Sequence, residues 1–116
     1  MYIHFFSHES DYSYAFLDTL KSEINLLDEH LFVFGFAFIK FKKKQYDYGE
    51  QLNKRIVRLK NLFAIFSIWK QIKKSKWLYL HLLPYDPTLL FWRMNLKLLD
   101  KATWIIWGTD VYSYNK

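Results

Sequence analysis

The sequence predicts an α/β fold, a mostly parallel sheet flanked by helices. Three observations carry this. The runs HLFVFGF (30–36), WLYLHLL (77–83) and ATWIIW (102–107) are almost unbroken in apolar residues, as strands buried on both faces require. Between them lie stretches whose apolar residues recur at helical spacing. The resulting order is β-α-β, a basic loop, then β-α-β-α-β, and such alternation gives a parallel sheet covered by helices on both faces.

Taken in order, Tyr2 to Phe6 is short, aromatic and β-branched at Ile3, which marks a strand. Ser7 to Ser10 is a polar break, with Ser10 suited to an N-cap and Asp11 to a first helical turn. Phe16, Leu17, Leu20, Ile24 and Leu27 then form a helical stripe. His30 to Phe36 is the second strand. Phe38 to Lys54 contains Lys40, Lys42, Lys43 and Lys44 followed by YDYGEQLNK, and reads as an exposed loop with an edge strand at its start. Ile56 to Leu59 is a short strand. Asn61 to Lys74 predicts one helix with the stripe Leu62, Ile65, Phe66, Trp69 and Ile72, and Lys70, Lys73 and Lys74 in its last turns oppose the macrodipole favourably. Trp77 to Leu83 is the next strand. Asp86-Pro87 supplies an N-cap and a proline at the first helical position of a helix running to about Asp100. Ala102 to Trp107 is the last strand, ended by Gly108.

The 116 residues amount to one domain, 1–116, with 52% hydrophobic and 22% aromatic residues for its core and only 3 Gly and 2 Pro. With no cysteine, disulfides, thiolate zinc sites and cysteine nucleophiles are excluded, which fits a reducing compartment. The opening MYIHFFSHES has no basic n-region or cleavage site, so no signal peptide is expected. No apolar run approaches the roughly 20 residues of a membrane-spanning helix. The net charge of +6 points to anionic partners. Glycine-rich dinucleotide and P-loop motifs, H-E-x-x-H and G-x-S-x-G are all missing. So is an Asp-x-Asp pair that would hold a metal under a sugar nucleotide, and four scattered histidines make no metal site. No cofactor and no metal are expected.

The C-terminal third carries the specific signal. It contains His81 near the end of a strand, Pro87 opening a helix, then Trp104, and a W-G-x-D-x-Y turn made by Trp107, Gly108, Asp110 and Tyr112. With the HLF strand at His30 to Phe32, this resembles the TDP-N-acetylfucosamine:lipid II N-acetylfucosaminyltransferases, the 4-alpha-L-fucosyltransferase-like family. Thr109 stands where that family has a second glycine, Val111 replaces a leucine, and Leu82 stands where a glycine often follows the histidine. Threonine resists the positive φ and close ligand approach that glycine permits. The resemblance implies a Rossmann-like domain, the N-terminal, acceptor-side half of a GT-B-type glycosyltransferase. It further implies a nucleotide-sugar domain that this stretch of sequence does not contain, so that the fragment alone is expected to be inactive. Implied partners are a nucleotide-sugar donor and a lipid-linked saccharide, met in the cytoplasm at the inner face of the cell membrane.

Each candidate has a chemical and a structural reading. Asp110, just past a buried strand, either takes the acceptor hydroxyl's proton or caps the next turn. His81 either acts as acid, base or sugar ligand, or is a buried histidine satisfied by backbone. His8 follows the first strand and is a weaker candidate of the same kind; His4 and His30 read as structural. Gly108, Thr109 and Tyr112 line the expected substrate rim. Trp104 and Trp107 fall on opposite strand faces. Lys42, Lys43 and Lys44 either touch an anionic membrane or solubilise the domain, and Lys70, Lys73, Lys74 and Lys76 form a second patch. The alternative function is a small basic module that binds nucleic acid or a membrane surface without catalysis. Burial of most aromatics and the lack of any nucleic-acid motif count against nucleic acid.

Overall fold

The apolar runs become strands that lie side by side in one direction. The structure, a computed structural model, describes residues 1–20, 29–35, 46–81 and 88–105. Within these, β1 (Tyr2–Phe6), β2 (His30–Phe34), β3 (Ile56–Arg58), β4 (Trp77–His81) and β5 (Ala102–Trp104) form a five-stranded sheet in the order β3-β2-β1-β4-β5. Every neighbouring pair is parallel. This is the order of a Rossmann-like sheet: the chain moves outward from β1 through β2 to β3, then crosses back to lay β4 on the other side of β1.

Side chains of a strand alternate between faces, and each face has its own cover. On one side α1 (Asp11–Leu20) brings Leu17 against Phe6, Phe32 and Phe34, joined by Tyr48 and by Leu52 of the short helix α2 (Glu50–Asn53). On the other, Ile3, Phe5, Val33, Leu78 and Leu80 pack against a 3₁₀ helix (Leu62–Ile68), α3 (Trp69–Lys74) and α4 (Leu89–Met94), through Ile65, Ile68, Ile72, Phe91 and Trp92. Strand β1 is therefore buried on both sides, which is why its sequence shows no polar alternation.

The N-terminus of α1 forms as expected. The Ser10 hydroxyl accepts from the Ser13 amide at 3.3 Å, and the Ser13 hydroxyl accepts from the Ser10 amide at 2.8 Å. Elsewhere the elements depart from the sequence reading. The 61–74 stretch is not one α-helix: Asn61 caps it through Oδ1, which accepts from the Ala64 amide, but the first seven residues are 3₁₀. Ile65 and Ile68, both buried, are three residues apart and so eclipse in a three-residue turn, while β-branched and aromatic neighbours weaken the α preference. The helix after residue 88 also divides. Asn95 leaves helical geometry, its side chain donates to the Phe91 carbonyl at 2.8 Å, and a 3₁₀ helix (Leu96–Lys101) follows. The stretch read as an exposed loop ends in core, since Tyr48 is 1% and Leu52 2% exposed.

Strand β2 stops at Phe34, short of the Phe36 limit. Gly35 donates its amide to the Phe6 carbonyl at 2.8 Å and lies so close to β1 that a Cβ would come within 2.7 Å of the Ser7 carbonyl oxygen. Gly35→Ala should therefore lower unfolding stability by about 1–3 kcal/mol, measured by urea denaturation; an unchanged midpoint would show that the strand ends can part freely.

Candidate functional site

In an open parallel sheet the connections leaving two neighbouring strands in opposite directions open a crevice at their carboxyl ends, where ligands bind. Here that point lies between β1 and β4. Their last residues pair as Phe6 with His81, and the Ser7 amide donates to the His81 carbonyl at 3.3 Å. Strand β5 leaves the sheet at the same rim, with the Ile105 amide donating to the Leu80 carbonyl at 2.9 Å.

The His81 ring lies under this rim and is fully buried. It stacks on Phe6 at 4.3 Å between centroids, meets the edge of Phe16 at 4.9 Å and faces His4 at 5.7 Å. Neither ring nitrogen has a hydrogen-bond partner among the described residues. Burial pushes its pKa down to about 4. At neutral pH it is thus an uncharged imidazole with one donor and one acceptor unspent, and leaving such a group unpaired costs about 1–3 kcal/mol. It is therefore not a charged acid at neutral pH.

His81 is one of a row. His30 on β2, His4 on β1 and His81 on β4 lie across three adjacent strands on the face covered by α1. His4 Nε2 and His30 Nδ1 share a hydrogen bond at 2.9 Å, while His4 Nδ1 has no partner among the described residues. Tyr79 and Phe32 stack on His4 at 4.7 and 4.9 Å. Burial, with His81 and His30 adding to it, pushes His4 down to about 3, and burial lowers His30 as well. The sequence reading of His4 and His30 as structural says nothing of this row, because only the strand order brings the three together.

Glu9 is the residue that sequence reasoning missed. Its carboxylate accepts from Arg58 Nε at 2.8 Å and Nη2 at 3.1 Å, from the Tyr46 amide at 2.8 Å and from the Tyr48 hydroxyl at 2.7 Å. Burial raises its pKa, but the donors from Arg58, Tyr46 and Tyr48 outweigh burial and hold it below the usual value. Burial and Glu9 together push the Tyr48 hydroxyl up. Its partners lie 37 to 49 residues away, so no local spacing marks it. Asp11 accepts from the Tyr46 hydroxyl beside it. The β1–α1 turn accordingly has its Glu9 charge neutralised by Arg58 and its amides closed by its own serines, unlike the glycine-rich turn whose free amides cradle a pyrophosphate.

His8 sits in this turn, half-buried, and Trp104 is half-exposed at the end of β5. Asp110, Gly108, Thr109 and Tyr112, and the basic residues Lys42, Lys43 and Lys44, lie outside the described residues, as do Pro87 and Trp107. Among the described residues no three His, Asp or Glu are grouped to hold a metal, and no helix is long and apolar enough to cross a membrane. No family model, curated protein or solved structure matches the chain. Fold and rim by themselves define an α/β domain of Rossmann-like topology with a neutral, aromatic-walled histidine at its switch point.

Two consequences are measurable. His4 and His81 have folded pKa values below the unfolded 6.5. The unfolded chain then binds more protons, so stability is complete above about pH 6.5 and falls as pH drops toward the folded values, by up to about 1.4 kcal/mol per pH unit per histidine. His81→Phe, which keeps the stack on Phe6, should flatten this decline in pH-dependent urea titrations; an identical slope would mean His81 titrates normally. Glu9→Ala leaves Arg58 and Tyr48 without their acceptor and should cost about 3 kcal/mol, read from the same titrations at neutral pH, whereas a loss below 1 kcal/mol would reduce the cluster to a surface contact.

Proposed function

We propose that this chain is the acceptor-side domain of a bacterial glycosyltransferase. It would act in surface polysaccharide synthesis, moving an N-acetylfucosamine-like sugar from a TDP-sugar to a lipid-linked saccharide at the inner face of the membrane. The supporting observation is the chemistry of the β1–β4 rim. Beneath it lies a buried, uncharged imidazole with both nitrogens unspent, covered by Phe6 and Phe16, so a saccharide that parts this aromatic cover would find partners for its hydroxyls and its apolar ring faces. The rim's first turn spends the Ser10 and Ser13 amides on its own serine hydroxyls, so it lacks the free amides that cradle a diphosphate. A domain of this kind is suited to hold the saccharide and leave the nucleotide to another site.

In the transfer, the acceptor oxygen attacks the anomeric carbon, the bond from that carbon to the diphosphate oxygen breaks, and TDP departs with the bonding electrons. Asp110, which follows β5 in the sequence, receives the hydroxyl proton. His8, His81, Gly108, Thr109 and Tyr112 orient the saccharide. Thr109 stands where a glycine would permit positive φ and closer ligand approach.

In a transferase assay with TDP-sugar and lipid-linked saccharide, using the whole enzyme, Asp110→Asn should lower kcat by about 100-fold or more with the donor KM unchanged. Unaltered turnover would remove the base assignment. Calorimetric titration of this chain should detect the saccharide and not TDP; the reverse preference would overturn the acceptor-side reading.

A further inference from the structure

Among the described residues, α1 and the helical layer on the opposite face of the sheet differ in charge and in what they expose. Helix α1 carries Asp11 and Asp18 and no cation. The opposite layer, made of the first 3₁₀ helix, α3 and α4, carries Lys70, Lys73, Lys74 and Arg93 and no acid. That same basic layer also exposes large apolar side chains. Phe63 is 76%, Phe66 59%, Leu90 57% and Met94 75% exposed. They do not sit at random. Phe63 and Phe66 are one 3₁₀ turn apart, and Leu90 and Met94 one α turn apart, so each pair shares a helix face. The Phe66 ring meets Phe91 of α4 edge-on at 6.1 Å, which sets the two helices side by side.

A soluble surface seldom leaves four such side chains in water. Lysines interleaved with exposed phenylalanine, leucine and methionine on one helical layer are the composition of a surface that lies in a lipid interface, rings among the acyl chains and ammonium groups at the phosphates. An open groove of about 560 Å³ beside Phe66, lined also by Ser67, Lys70 and Lys74, has the size and charge for a lipid headgroup. The Lys73 ammonium already lies over the Trp69 ring, 4.8 Å from its centroid.

We infer that the outer face of the 3₁₀–α3–α4 layer docks on an anionic phospholipid bilayer, with Phe63, Phe66, Leu90 and Met94 inserted at the interface and Lys70 and Lys74 on lipid phosphates. The acidic α1 layer then turns away from the membrane, which fixes the domain's orientation as well as its position. The inference does not depend on sugar transfer. It adds a specific surface to the peripheral location proposed above, and vesicle binding and transferase activity are read separately, so either can fail alone.

The test is sedimentation of the purified chain with vesicles of equal parts phosphatidylserine and phosphatidylcholine, against phosphatidylcholine alone, at about 0.1 M salt. Binding should require phosphatidylserine and weaken as salt rises. Lys70→Glu with Lys74→Glu should reduce it by about tenfold or more. Phe63→Ser with Phe66→Ser, at positions too exposed to hold the core, should do likewise, with folding checked by circular dichroism. Lys54→Glu, at the end of α2 on the other side of the sheet, should change nothing. Absent binding to the mixed vesicles, or binding indifferent to both double variants, overturns the inference. So does retention of single-stranded DNA without vesicle binding, or a dimer in solution that the phenylalanine changes dissolve.

Discussion

Strand β1 has to hide both of its faces, and most of the architecture follows from that. Ile3 and Phe5 point to one side, His4 and Phe6 to the other, and all four are buried. A strand in this position needs neighbours on both edges and a helical layer above and below. Parallel neighbours in turn need crossovers, and right-handed crossovers put α1 on one face and the α3 and α4 segments on the other. The switch point between β1 and β4 is a by-product of placing the first strand in the middle of the sheet.

The element order and the parallel sheet were legible because apolar runs and helical stripes are local signals. The subdivisions were not. Nothing in the spacing of Ile65, Phe66 and Trp69 distinguishes an α-helix from a 3₁₀ segment that tightens to eclipse Ile65 and Ile68 beneath the sheet. The end of β2 at Phe34 depends on the approach of Gly35 to the Ser7 carbonyl, a contact between residues far apart in sequence. Tyr48 was hidden by composition: it sits in a charged, tyrosine-rich stretch, yet its burial comes from Glu9 and the phenylalanines of β1 and β2.

The candidate site shows the same division. A histidine at the end of an apolar strand marks His81 as notable, and its position at the β4 rim follows from the fold. Its unpartnered nitrogens, its stack on Phe6 and its row with His4 and His30 depend on the order in which three strands are laid down. Glu9 is the clearest loss, since a glutamate in a polar turn carries no sign that Arg58, Tyr46 and Tyr48 will converge on it. The two cover layers also divide the charge, acidic on α1 and basic on α3 and α4, so that the rim lies between surfaces of opposite character.

Ligand should meet this sheet at the carboxyl ends of β1 and β4. Nitrogen-detected NMR of the imidazole rings, recorded while a saccharide acceptor is added, addresses it directly. His81 should be neutral and its ring nitrogens should shift on addition, with backbone changes gathered around Phe6 to His8. Shifts confined to Tyr2, His30 and Trp77, at the other end of the strands, or an unchanged His81 in the presence of bound saccharide, would contradict it.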